Sequence, residues 1–122
     1  MLSELSETVI GAGIRVHSAL GPGLLESTYS DCLAHELRLA GLKIEREVFV
    51  PVAYKDLLIE KAFRLDLVVE GKLAIELKAV ERLLPAHQAQ SLTYLRLSGL
   101  RIGLLMNFNS RLLKDGIQRV AH

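Results

Sequence analysis

The apolar residues of the N-terminal third recur at steps of three and four, which is the spacing of amphipathic helices. One such helix is predicted over residues 3–20, and the segment Gly21-Pro22-Gly23 ends it. A second helical pattern runs from Leu24 to about Ala40, and Gly41 is its C-terminal stop. The chain is therefore predicted to open with two helices that each bury one face.

From Lys43 onward the pattern changes to alternating β-branched and aromatic residues, which is typical of strands. Three antiparallel strands are predicted within "KIEREVFVPVAY", "EKAFRLDLVV" and "KLAIELKAV", separated by the turn signals "KD" and "EGK". Pro85 opens a third helix that Gly99 ends, and "RIGLLMNF" is typical of a buried strand. The tail after Phe108 fits a short helix or a strand equally well. The order ααβββαβ predicts an α/β fold that fills residues 1–122 as a single domain.

Charged residues interrupt two of these predicted strands, in "RLDLVVEGKLAIELKAV" at residues 64–80. Glu76 and Lys78 are two apart, so they project from one face of their strand while the apolar residues between them project from the other. One interpretation is a sheet with a solvated face, which the pattern alone favours. The other is a metal site beside a lysine.

The length of the hairpin loop decides whether Asp66 meets Glu76. If Val69 pairs with Leu73 across a three-residue loop, Asp66 falls opposite Glu76 on the same face, whereas a two-residue loop would separate them. Two facing carboxylates repel each other unless a cation lies between them or one is protonated. A divalent ion would remove that conflict.

Two carboxylates and water suit a hard octahedral ion such as Mg²⁺, for which Mn²⁺ can substitute, with a phosphate oxygen completing the shell. Lys78 beside that ion would orient or help to deprotonate the attacking water, or stabilise charge on the phosphate. This combination of residues favours phosphodiester hydrolysis.

Composition and charge limit the alternatives. The 122 residues are half hydrophobic, and no apolar run approaches the roughly 18 residues that span a membrane. The N-terminus lacks the basic flank of a signal peptide, and a lone Cys32 fits a reducing compartment, so we expect a cytoplasmic protein without membrane contact. Fifteen Lys and Arg against fourteen Asp and Glu leave no strong basic excess, so DNA binding would need a local basic stripe.

Several motifs together resemble those of a known nuclease superfamily. The arrangement Asp66, then "ELK" at 76–78, resembles the PD-(D/E)XK nuclease superfamily, although Leu65 stands where its formula has proline. "GLLESTY" at 23–29 is similar to the signature of the GxxExxY family within it, and "QSLTY" at 90–94 matches the Q-x-x-x-Y helix motif of its RecB-like branch. The resemblance implies a restriction-endonuclease-like core with a mixed central sheet flanked by helices.

The resemblance also implies a role for individual residues. Asp66, Glu76 and Glu26 would bind the metal, with the Leu77 main-chain carbonyl as a further ligand, and Lys78 would act on water or phosphate. Gln90 and Tyr94, four apart on the third helix, would face the site, and Tyr29 lies one turn after Glu26. The chain is then expected to be a Mg²⁺-dependent nuclease acting on nucleic acid, with DNA as the favoured substrate.

Each assignment has an alternative. Glu26 is alternatively the N3 residue of a capping box that begins near Gly23, and Tyr29 and Tyr94 are alternatively core aromatic residues with satisfied hydroxyls. The whole chain is alternatively a nucleic-acid-binding or protein-interaction module that retains a nuclease fold without activity. If "RIGLLMNF" formed an edge strand, it would also offer a surface for a homodimer. Sequence specificity and the choice between DNA and RNA are not encoded in these motifs.

Overall fold

Two helices precede the sheet, as their apolar spacing predicts. The structure, a computed structural model, describes residues 2–122. Helix α1 spans Leu2–Leu20 and helix α2 spans Glu26–Leu39. Between them, Gly21 and Gly23 have φ angles of 72° and 101°, a region that costs glycine little because it has no Cβ. No helix within residues 2–122 combines the length and the apolar character needed to cross a lipid bilayer.

Five strands form one mixed sheet in the order β1-β2-β3-β4-β5. The strands are β1 Ile44–Tyr54, β2 Leu57–Val69, β3 Leu73–Lys78, β4 Ile102–Asn107 and β5 Ile117–Ala121. Only β3 and β4 are parallel, and helix α3 (Pro85–Ser98) connects them, beginning at the predicted proline and ending before Gly99. The predicted α/β class and the restriction-endonuclease-like arrangement of a mixed sheet flanked by helices are confirmed.

The C-terminal tail contains both elements between which the sequence could not choose. A short 3₁₀ helix at Leu113–Gly116 is followed directly by β5, which pairs antiparallel with β4. Strand β4 therefore lies between β3 and β5, and the prediction that "RIGLLMNF" leaves an open edge is wrong. A homodimer stays a prediction, but it would need another surface. The tail covers that edge because Ile117–Ala121 pairs with β4 along its length.

The sheet separates two apolar cores. On one face, α1 and α2 pack over residues that include Leu67, Ile75 and Met106. On the other face, α3 packs over a smaller group that includes Leu65, Val68 and Leu105. The protein therefore has three layers, with two helices on one side of the sheet and one helix on the other.

Candidate active site

The β2–β3 hairpin has the predicted three-residue loop. Val69 pairs with Leu73, and the Lys72 N–H donates to the Val69 carbonyl at 3.0 Å. Glu70 and Gly71 both have positive φ angles, 55° and 64°, which form a tight turn. The last pair of the ladder is Leu67 with Ile75, and this register brings Asp66 opposite Glu76.

Beyond that pair the two strands separate, and main-chain N–H groups donate to side-chain carboxylates instead of to main-chain carbonyls. The Leu77 N–H donates to Asp66 Oδ2 at 2.8 Å, and the Asp66 N–H donates to Glu76 Oε1 at 3.4 Å. Because the N–H and C=O of one strand residue point the same way, the Leu77 carbonyl also faces this opening. The gap between β2 and β3 therefore presents two side-chain carboxylates and one main-chain carbonyl.

Strand β2 is irregular at Asp66. Regular alternation would place Leu65 and Leu67 on one face, yet they pack in the two different cores on opposite sides of the sheet. Glu47, which lies beside Asp66 in β1, has a φ of 52°, a left-handed conformation that is strained for a residue with a Cβ. As a result Asp66 borders a cleft on the α2 side, whereas Glu76 borders a small pocket beneath α3. The two carboxylates meet through the gap in the sheet, so the prediction that their side chains share one face is wrong.

Glu76 is a buried carboxylic acid, with only 8 % of the residue exposed. Its burial, followed by the negative charge of Asp66, raises the pKa of Glu76 to about 8, while the Lys78 ammonium acts in the opposite direction. Without a neutralising cation, Glu76 is therefore largely protonated near neutral pH.

Lys78 ends strand β3, two residues beyond Glu76 and on the same face. A residue that the sequence did not single out holds this strand end. Asn107, fully buried and in register with Lys78, donates from Nδ2 to the Val80 carbonyl at 2.9 Å and accepts from the Val80 N–H at 3.1 Å. A polar residue that ends an otherwise apolar run was the only signal for this role.

Glu26 is the first residue of α2 rather than its N3 residue, so the capping-box interpretation is wrong. The N-cap is Leu25, which makes no side-chain capping hydrogen bond. Glu26 is exposed and borders the same cleft as Asp66. The helix start differs from the predicted one because Gly23 and Leu24 remain in the turn.

Tyr29 lies in the core and not against the cleft. Its hydroxyl donates to the Gly21 carbonyl at 2.6 Å and accepts from the Leu24 N–H at 3.1 Å. Its ring stacks on Phe108 with the centroids 4.7 Å apart. With no exposed surface, Tyr29 cannot contact a substrate, but it supports the turn that delivers Glu26.

Tyr94 and Gln90 differ although both lie on α3. Tyr94 borders the pocket that contains Glu76, and its ring stacks on Phe63 at 4.2 Å. Partial burial raises the pKa of the Tyr94 hydroxyl, and the charges of Glu76 and Asp66 raise it further. Gln90 lies one turn earlier on α3 and is exposed.

The cleft beside Asp66 has a volume of about 310 Å³. It carries two arginines that the sequence did not single out, Arg46 on β1 and Arg64 on β2. The residues that line it are Glu26, Ser27, Ser30, Asp31, Arg46, Glu47, Arg64, Asp66 and Leu77. The residues that line the cleft are far apart in the sequence, so no local motif indicated that Arg46 and Arg64 belong to it.

The oxygen donors between β2 and β3 suit Mg²⁺, which keeps water ligands, better than they suit a metal ion enclosed by protein ligands alone. Within residues 2–122, no three His, Cys, Asp or Glu side chains lie close enough together to enclose an ion, so Glu26 does not join Asp66 and Glu76 in a closed cluster. Mg²⁺ usually takes one or two carboxylates and completes its shell with water and substrate phosphate. Asp66, Glu76 and the Leu77 carbonyl fit that requirement, and a cation there would remove the repulsion between the carboxylates.

The sequence matches the family model described as the PD-(D/E)XK nuclease superfamily over residues 3–120. The chain belongs to this superfamily. The match covers nearly all of the sequence and includes both carboxylates and Lys78. Membership suggests a nuclease, and nucleases of this superfamily generally use divalent metals. No curated protein matches the chain.

Proposed function

We propose that the protein is a Mg²⁺-dependent nuclease that hydrolyses phosphodiester bonds in DNA. The observation that carries the proposal is the contact between Asp66 and Glu76 where β2 and β3 separate, with Lys78 on the same strand. Superfamily membership supports the same chemistry. "GLLESTY" and "QSLTY" support the narrower assignment to the GxxExxY family and the RecB-like branch.

Each residue has a distinct part in this proposal. Asp66, Glu76 and the Leu77 carbonyl would hold the ion, with Glu26 approaching it from across the cleft. The ion would supply positive charge to the phosphate and lower the pKa of water. The Lys78 ammonium would orient the water or stabilise negative charge that develops on the phosphate. Tyr94 and Gln90 would support the site from α3.

The Leu77 N–H also has a part, because it fixes Asp66. Its hydrogen bond to Asp66 Oδ2 occupies one carboxylate oxygen and leaves Oδ1 for another ligand. Such a bond orients a metal ligand before the metal arrives, which lowers the cost of ordering the site. The backbone of β3 and the side chain from β2 therefore act together.

The test separates metal binding from turnover. Asp66→Asn is expected to weaken Mn²⁺ binding, measured by calorimetry, and to abolish cleavage of single- and double-stranded DNA. Lys78→Met is expected to bind Mn²⁺ as well as wild type or better, because it loses a cation, while cleavage falls about 10²- to 10³-fold.

Lys72→Met is the matched control, since Lys72 is an exposed lysine in the loop of the same hairpin. It should cleave DNA at the wild-type rate. If the wild type cuts no DNA with Mg²⁺ or Mn²⁺, or if Lys78→Met cuts as fast as the wild type, the nuclease proposal fails.

A further inference from the structure

A strip of exposed side chains leads along the β1–β2 hairpin to the cleft. Arg64 lies two residues before Asp66 on β2, and both border the cleft. Phe49 is paired with Arg64 across the two strands, so their side chains lie next to each other on one face. The Lys61 ammonium lies 4.9 Å from the centroid of the Phe49 ring. We call Lys61, Phe49 and Arg64 the hairpin strip.

The hairpin strip is accessible although it contains an aromatic ring. Phe49 is 49 % exposed and the Arg64 side chain is 47 % exposed. Neither apolar core includes Phe49. The Phe49 ring therefore lies outside both cores, and its exposed part can contact a ligand.

Arg64 is held only weakly. Its Nη1 lies 3.4 Å from Glu47 Oε1, and the Glu47 side chain is 65 % exposed. Exposed ion pairs of this kind are close to neutral in free energy because water and salt screen them. The guanidinium can therefore exchange Glu47 for another anion at little cost.

The second arginine of the cleft is held differently. Arg46 Nη2 donates to Ser30 Oγ at 3.0 Å and to Asp31 Oδ1 at 2.6 Å, and Arg46 Nε is buried. These bonds tie β1 to α2, the helix that carries Glu26. Arg46 is therefore a positioning residue, and Arg64 is the arginine that a substrate can recruit.

We propose that the hairpin strip binds a single-stranded segment of DNA and directs it toward Asp66, an inference that rests on the proposed nuclease function. Arg64 and Lys61 contact phosphates, and Phe49 stacks on one base. Proteins that bind single strands combine positive charge along the backbone with exposed aromatic rings, because only unpaired bases offer a free face. Glu47 competes with the phosphate for Arg64.

A binding assay without metal tests this inference apart from catalysis. The anisotropy of a labelled single strand of about ten nucleotides, within the range of site sizes for such proteins, is measured in EDTA at low salt. Phe49→Ala is expected to weaken single-strand binding about tenfold and duplex binding much less, because a base in a duplex is already stacked. Tyr54→Ala is the control, since Tyr54 is 63 % exposed on the same hairpin, also beneath a lysine, but at its tip.

Charge variants test the phosphate contact. Arg64→Gln is expected to weaken single-strand binding about tenfold. It should also make the slope of log K against log salt concentration less steep, by about the amount that one phosphate contact contributes. Glu47→Gln should strengthen binding several-fold because it releases Arg64. Arg119→Gln, an exposed arginine on β5 at the other edge of the sheet, and Glu45→Gln, an exposed carboxylate on β1, are the matched controls.

The outcomes for the strip and for the nuclease are distinct. If Arg64→Gln behaves like Arg119→Gln, or if Phe49→Ala behaves like Tyr54→Ala, the hairpin strip is not the binding site, even when the wild type cleaves DNA. If the wild type binds single strands through Arg64 and Phe49 but cleaves nothing, the nuclease proposal fails and the strip stands. A wild type that neither binds nor cleaves overturns both.

Discussion

The two faces of the sheet differ in the number of apolar residues that they bury. Among the residues that the structure describes, 16 buried residues form one core on the α1/α2 face, whereas seven form the core on the α3 face. The thinner face is also the one that carries Glu76, Ser91 and Tyr94 in a single small pocket. The fold therefore draws most of its hydrophobic stabilisation from one side, and the other side can contain a buried carboxyl because less of the stability depends on it.

Leu104 and Leu105 test this asymmetry directly, because these neighbours on β4 are equally buried but lie in different cores. Leu104→Ala is expected to lower the free energy of unfolding by about 3–5 kcal/mol, since the thick core cannot close around the cavity. Leu105→Ala should cost about 2–3 kcal/mol, because α3 alone covers it and can move inward. Urea denaturation of both variants measures the difference, and equal losses would contradict the asymmetry.

Glu76→Gln is expected to stabilise the metal-free protein at alkaline pH. The pKa of Glu76 is about 8 in the folded protein and near 4.5 in the unfolded chain. Between these values the unfolded chain has released the proton and the folded protein has not, so stability falls as pH rises from about 4.5 to about 8. Glutamine cannot ionise and escapes this loss.

The expected gain of Glu76→Gln is about 2–4 kcal/mol at pH 8. At pH 4 the variant and the wild type should unfold at nearly the same temperature. Thermal melts in EDTA across this pH range make the comparison. A variant that is less stable than the wild type at pH 8 would show that Glu76 is already paired with a cationic group in the absence of metal.

Tyr29 and Tyr94 lie on opposite faces of the sheet, and we expect the first to affect stability and the second to affect activity. Tyr29→Phe removes a hydroxyl that bonds to Gly21 and Leu24, and it is expected to cost about 1–2 kcal/mol with little change in kcat. Tyr94→Phe should change stability by less than about 0.5 kcal/mol but reduce cleavage, because Tyr94 borders the pocket that contains Glu76. Melting temperatures and single-turnover rates for both variants test this, and a reversed pattern would contradict the division.

Glu26→Gln is expected to have the smallest effect on folding, below about 0.5 kcal/mol, because the side chain is exposed at the first turn of α2. Its effect on Mn²⁺ affinity should be larger than its effect on stability if Glu26 approaches the ion. Calorimetric titration of the variant, compared with Ser27→Ala on the same turn, measures this. Unchanged Mn²⁺ affinity would show that Glu26 does not bind the ion and interacts only with the dipole of helix α2.

Local patterns predicted the parts of the fold that depend on neighbouring residues. Helical spacing located α1, Pro85 and Gly99 marked the ends of α3, and "EGK" located the turn between β2 and β3. These features follow from the period of the backbone and from turn chemistry, both of which are local. The carboxylates and the lysine of the superfamily motif lie on these locally determined elements, so the motif is recognisable in the sequence.

The buried strand predicted at "RIGLLMNF" is confirmed as β4, and only the expectation of an open edge failed, because pairing between strands is not local. "RIGLLMNF" is apolar enough for a central strand or for an edge, and only the return of the tail as β5 decides between them. The capping-box interpretation of Glu26 failed for a related reason, since the position of the helix start depends on the turn that Tyr29 holds.

The sequence by itself determined which residue types are available for catalysis and limited the pairing of Asp66 with Glu76 to two registers, because strand alternation and loop length act over a few residues. Only the tertiary structure decided that β2 changes face at Asp66, that Glu76 is buried against α3, and that Arg64 lies beside the cleft. Those features arise where three layers pack together, and the burial that raises the pKa of Glu76 is contributed by residues distant in the chain.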